Sequence, residues 1–104
     1  MILYVQKYDI NPDKADAYNE WAKTAIRRIL AAPGVVEFRG YRPISGTSQV
    51  TVTIEFTDLD AFAAFYADED MQQVLTERHA YEINITTELW GSSPVVPEPL
   101  RPGG

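Results

Sequence analysis

The chain has no cysteine among its 104 residues. This excludes disulfides, thiolate nucleophiles, iron–sulfur clusters and zinc sites built on Cys. It has a single histidine and is poor in positive charge, with nine Lys and Arg against fifteen Asp and Glu and a net charge of -6. The basic residues are scattered, and nucleic-acid binding, which is driven by clustered cations displacing counterions from phosphates, is not expected. No apolar run approaches a bilayer-spanning length, and the Met1 end reads as a strand rather than as a signal peptide. No membrane association and a cytoplasmic location are the expectation. A glycine-rich phosphate loop and a nucleophile elbow are both missing. The acids Asp58, Asp60, Asp68, Glu69 and Asp70 fall at cap and solvent positions without calcium-loop spacing, so no metal site is expected.

What is present is an ordinary globular composition, 45% hydrophobic and 23% charged, at a length that fits one domain. The stretch Pro33 to Phe56 carries the strongest pattern. Val36 and Phe38, answered by Val50, Val52, Ile54 and Phe56, fall on one parity. Glu37, Arg39 and Tyr41, answered by Thr51, Thr53 and Glu55, fall on the other. Period-2 sorting of this kind predicts a hairpin with one buried face. Ile2 to Asp9, apolar at both parities in its first half, predicts a central strand. Asn11-Pro12-Asp13 supplies an N-cap, a proline for the first helical position and an acid near the positive helix end. The helix that follows places Tyr18, Trp21, Ala22, Ala25, Ile26, Ile29 and Leu30 in one stripe and ends at Pro33-Gly34. After Phe56, caps at Thr57-Asp58 open a second helix bearing Leu59, Phe62, Ala63 and Tyr66. The acidic run at Asp68-Glu69-Asp70 predicts a break and a restart through Met71, Val74, Leu75 and Arg78. Tyr81 to Trp90 predicts the last strand, with Tyr81, Ile83, Ile85 and Leu89 inward and Glu82, Asn84, Thr86, Glu88 and Trp90 outward.

The order strand, helix, strand, strand, helix, strand gives, with right-handed crossovers, an α+β class fold. It is a ferredoxin-like βαββαβ sandwich: a four-stranded antiparallel sheet with both helices on one face. Residues 1–91 form that domain. Residues 92–104, rich in proline, form a C-terminal tail expected to be extended or disordered unless it lies along a partner.

The Trp-bearing first helix with its PGV turn, the FRGYRP and VTVTIEF hairpin, the FAAFY helix with its acidic break and the closing ELW together resemble the dimeric α+β barrel superfamily. Within it they are most similar to the antibiotic biosynthesis monooxygenase-like branch. The resemblance covers nearly the whole chain to Gly91 and implies a homodimer with two sheets packed face to face and a small-molecule pocket in each subunit. It also implies activities ranging from cofactor-free oxygenation of aromatic compounds to haem degradation and lactone isomerisation. The haem-degrading pattern needs an Asn on strand one and a Trp and a His on the second helix. This chain has Gln6 and Lys7, Phe65 and Tyr66, and Leu75 at those places, which disfavours haem.

A cofactor-free oxygenase needs a flat apolar pocket and groups that stabilise negative charge. Tyr18, Trp21, Phe65 and Tyr66 are the candidate pocket residues, with Phe38 and Phe62 assigned to the core. Tyr4, Gln6, Tyr8, Arg39 and His79 are the polar candidates. His79 is the candidate catalytic base because its free pKa lies near neutrality. The competing reading places it at a helix C-terminus, where the dipole favours an imidazolium without any substrate. Arg39, Tyr41, Thr51, Thr53 and Trp90, on the face away from the helices, are the candidate dimer interface. The expected function is a homodimer that binds a small apolar or aromatic molecule without a cofactor. The alternative is a non-catalytic dimer with a filled core.

Overall fold

The computed structural model describes residues 1–103. The elements run β1 (Ile2–Ile10), α1 (Ala15–Ala31), β2 (Val35–Tyr41), β3 (Val50–Phe56), α2 (Leu59–Ala67), α3 (Glu69–Glu77) and β4 (Glu82–Gly91). The strands form one antiparallel sheet in the order β2-β3-β1-β4, the ferredoxin-like arrangement expected from the element order. One sheet face carries α1, α2 and α3. Between them lies a core in which Ile54, Phe56, Phe65 and Met71 are fully buried or nearly so. Each large side chain removed from water there contributes about 1.5–3 kcal/mol.

Local chemistry sets the element ends. Asn11 accepts from the Asp13 backbone N–H at 3.1 Å, and Pro12 opens a 3-10 turn (Pro12–Lys14) that runs into α1. Gly34 follows α1 with φ +85°, where a Cβ would stand 3.2 Å from the Ala61 Cβ. Asp58 caps α2 through the Ala61 N–H at 2.8 Å. The acidic break is a stop and restart at Asp68, whose carboxylate accepts from the Met71 N–H at 3.1 Å. α3 closes with a 3-10 turn, Arg78–Ala80. An arginine fork then ties α1 to α3. Arg28 donates to Asp70 at 2.7 Å and to Glu77 at 2.9 Å, and Glu77 also accepts from Trp21 Nε1 at 3.0 Å.

Two bulges correct the parity read from the sequence. In β2 the register shifts between Val35 and Glu37, so Val35 packs against the core opposite Phe56 while Val36 is 54% exposed. In β4 the register against β1 shifts where Asn84 takes φ 54°. Asn can adopt this left-handed conformation, and its amide donates to Asp9 at 2.9 Å. The shift carries Glu82, expected outward, to the helix side, where it is buried. Ile83, expected inward, moves to the outer face. Beyond Gly91 the described residues form neither helix nor strand and are exposed; Gly104, the last residue of the tail, lies outside the described residues. No helix of the described chain is long and apolar enough to cross a membrane.

Candidate functional site

Between the sheet and the helices lies a cavity of about 200 Å³. Its walls follow from the amphipathic patterns: Trp21, Ala22, Ala25, Ile26 and Ile29 of α1, Phe38, Val50, Val52 and Ile54 of the hairpin, and Phe65, Met71, Val74 and Leu75 of α2 and α3. One end is polar. Gln6 and Tyr8 project from β1, Tyr18 from α1, Arg78 from the turn after α3 and Glu82 from the start of β4.

These five groups form a connected network. Arg78 Nε donates to Glu82 Oε1 at 2.6 Å, and Nη1 donates to Gln6 Oε1. The guanidinium lies over the Tyr8 ring, 5.5 Å from its centroid, and the Tyr8 and Tyr18 hydroxyls share a hydrogen bond of 2.5 Å. Arg78, Glu82, Gln6 and Tyr8 are all buried. Burial raises the Tyr8 phenol well above its usual range, reinforced by the Glu82 charge, and also raises Tyr18. Both stay protonated and available as donors. Burial raises Glu82 as well, against the opposing pull of Arg78. The remaining guanidinium nitrogen, Arg78 Nη2, is buried without a partner among the described residues.

The residues singled out from the sequence distribute unevenly around this cavity. Tyr18, Trp21 and Phe65 line it, as do Gln6 and Tyr8 and also Phe38, which the sequence assigned to the core. Trp21 is held by its bond to Glu77 and by stacking on Tyr81, with centroids 4.9 Å apart. Tyr66 does not line the cavity: it is 47% exposed and leans on Phe62, which itself packs against Tyr4 and Phe56 in the core. One helical step separates the inward Phe65 from the outward Tyr66. His79 is exposed in the turn after α3 and is not part of the cavity wall. The buried charges of the site are its neighbours Arg78 and Glu82. Sequence reasoning passed over both, although their i, i+4 spacing and the left-handed preference of Asn84 were signals for them.

Arg39, Tyr41, Thr51, Thr53 and Trp90 lie together on the opposite sheet face, around a shallow depression that also includes Met1, Leu3, Glu37 and Glu55. Arg39 pairs with Glu37 on its own strand rather than across strands. Glu37 stands directly opposite Glu55, a like-charge pair that Arg39 offsets. Trp90 donates to Glu88 at 2.8 Å, and Lys7 reaches the same carboxylate at 3.4 Å. Tyr41 and Trp90 are each nearly half exposed.

Comparison with known proteins agrees with this architecture. Residues 1–77 match the family model described as antibiotic biosynthesis monooxygenase. SnoaB, a cofactor-independent oxygenase from Streptomyces nogalater, superposes with a TM-score of 0.73 at 18% identity, over 93% of this chain and 97% of that one. A DABB family protein with a ferredoxin-like fold from Mesorhizobium loti gives 0.79 at 16% identity, over 88% and 96%. A dimeric ferredoxin-like protein of unknown function from Thermobifida fusca gives 0.70 at 15%, over 86% and 88%. At these identities the structural likeness carries the fold alone. No curated protein matches the chain.

Proposed function

The chain belongs to the antibiotic biosynthesis monooxygenase family. On that premise we propose that it binds a small ring-bearing apolar molecule in the cavity between sheet and helices and oxidises it with molecular oxygen, without a cofactor. The observation that carries this reading is an apolar cavity of about 200 Å³ with one polar end, lined in part by Arg78, whose buried Nη2 lacks a partner among the described residues. Apolar walls with a few convergent polar groups are the usual form of a small-molecule site. A carbon acid that loses a proton there leaves an anion beside Arg78, in surroundings where a preorganised donor acts strongly. Transfer of one electron to oxygen, radical recombination and loss of water then convert a CH₂ and O₂ into a carbonyl and H₂O, with no further reductant. Tyr18, Trp21 and Phe65 serve as walls. Tyr66 and His79, both exposed and outside the cavity wall, have no role in this reading.

The same reading makes the protein a homodimer joined through the outer sheet face. Tyr41 and Trp90 offer exposed aromatic area there, between charges able to pair with a symmetry mate, and the Thermobifida fusca neighbour is dimeric. A screen by thermal shift and native mass spectrometry, using naphthols, quinones and small lactones followed by oxygen uptake, tests the proposal. It predicts a saturable rise in melting temperature and oxygen consumption with a binding compound. If a stable dimer bound none of them, the reading would give way to a non-catalytic protein with a filled core.

A further inference from the structure

The polar end of the cavity specifies more about its ligand than apolar walls alone would. A guanidinium has only donors. Two of the three Arg78 nitrogens are engaged, by Glu82 and Gln6, and Nη2 is buried without a partner among the described residues. The missing group is therefore an acceptor.

Charge decides which kind. Arg78 and Glu82 are the only charged side chains among the residues lining the cavity, and together they sum to zero. A carboxylate ligand would leave a net negative charge in apolar surroundings, whereas a neutral carbonyl oxygen would not. Volume narrows the class further. An apolar cavity of about 150 Å³ holds benzene, so the space here, about 200 Å³, fits one ring or two. Both charged residues lie beyond the segment that matches the family model, which ends at residue 77.

We propose that Arg78 and Glu82 form an acid–base unit for neutral, enolisable carbonyl compounds of one or two rings. Arg78 Nη2 donates to the carbonyl oxygen, and the Glu82 carboxylate removes a proton from the adjacent carbon. The proposal rests on the reading of this cavity as a ligand site.

The step balances without an oxidant. The C–H bond breaks, its electron pair forms the C=C bond of the enolate, and the carbonyl π pair moves onto oxygen. The proton goes to a Glu82 oxygen. Negative charge passes from Glu82 to the ligand oxygen while both stay beside the same guanidinium, so the cavity remains neutral throughout. Reprotonation at the same carbon exchanges a hydrogen; reprotonation at a conjugated carbon moves a double bond. Burial, which raises the proton affinity of Glu82 above that of a free carboxylate, suits it to act as acceptor. The hydrogen-bonded Tyr8 and Tyr18 hydroxyls supply a further donor at the same end.

The test uses the wild-type protein with β-tetralone, a bicyclic enolisable ketone, under argon in deuterium oxide, with the α-protons followed by NMR. Exchange should exceed the buffer rate by on the order of 10²-fold. It should disappear in Glu82→Gln while the ketone still raises the melting temperature. Should that variant fail to fold, the wild-type pH profile serves instead, with exchange rising as Glu82 loses its proton. Binding of β-tetralone with exchange at the buffer rate would overturn the proposal and leave the ligand-site reading intact. So would tighter binding of naphthoate, an anion of similar size, than of the ketone at neutral pH. If no neutral ring compound bound at all, the ligand-site reading would fall and this proposal with it.

Discussion

Breaking the Arg78–Glu82 pair from either side should destabilise the protein in two distinguishable ways. Glu82→Gln keeps the side-chain size and an oxygen able to accept from Arg78 Nε, so what is lost is the charge that balances a guanidinium only 5% exposed. Arginine cannot shed its proton in this pH range. Wherever Glu82 is ionised in the wild type, the variant should lose about 3–5 kcal/mol, a large share of the roughly 5–15 kcal/mol of a typical domain. Arg78→Met instead leaves Glu82 buried and unpaired, but a carboxylate can take up a proton. Its folded pKa then lies above the unfolded value near 4.5. The folded state holds the proton more tightly than the unfolded chain, so stability is fully present below the unfolded pKa. It is lost as pH rises through the folded pKa, by about 1.4 kcal/mol per pH unit across that window. Urea unfolding at about pH 5 and about pH 8 should therefore show stability falling with rising pH in Arg78→Met, beyond any change in the wild type. Glu82→Gln should show no such extra loss. A cost below about 1 kcal/mol for Glu82→Gln, or the same pH dependence in both variants, would refute the reasoning.

Other perturbations test other parts of the structure. Gly34→Ala forces a side chain into φ +85° and toward Ala61 at 3.2 Å; it should cost about 1–3 kcal/mol, and an unchanged denaturant midpoint would contradict the geometry. Arg28→Met removes the fork that binds α1 to α3. Its bond to Arg28 lowers the Asp70 pKa, while Glu77 is lowered first by Trp21 and also by Arg28. The stability of wild type over this variant should hold above the usual carboxylate range and shrink as pH falls through the depressed values; a gap that widens in acid would contradict it. Tyr41→Asp or Trp90→Asp places a charge on the proposed dimer face, and sedimentation should then show monomers. An unchanged profile would count against that interface.

The fold was largely legible because its signals are periodic. The stripe from Tyr18 to Ile29, the alternation of Val50, Val52, Ile54 and Phe56, and the caps at Asn11, Asp58 and Asp68 each point to the element that forms. What escaped was the consequence of a single extra residue in a strand. A bulge reverses side-chain parity for everything beyond it, and periodicity cannot locate a bulge. The bulge near Asn84 therefore concealed Glu82, which alternation alone turns to solvent. Arg78 escaped for a related reason, since a charged residue in helical register with Val74 and Leu75 reads as the edge of an apolar stripe. The lone histidine drew attention through its free pKa, yet its exposed turn gives it no access to the cavity wall.

The central claim is that the cavity between sheet and helices takes a small neutral ring compound, and the two tryptophans allow a direct test. Trp21 lines the cavity and donates to Glu77, whereas Trp90 lies on the outer sheet face. In a nitrogen-15 NMR titration of the wild-type protein with β-tetralone, with the indole signals assigned through Trp90→Phe, the Trp21 indole peak should shift saturably while that of Trp90 stays in place. Movement of the Trp90 peak alone, or of neither at saturating ligand, would contradict the account.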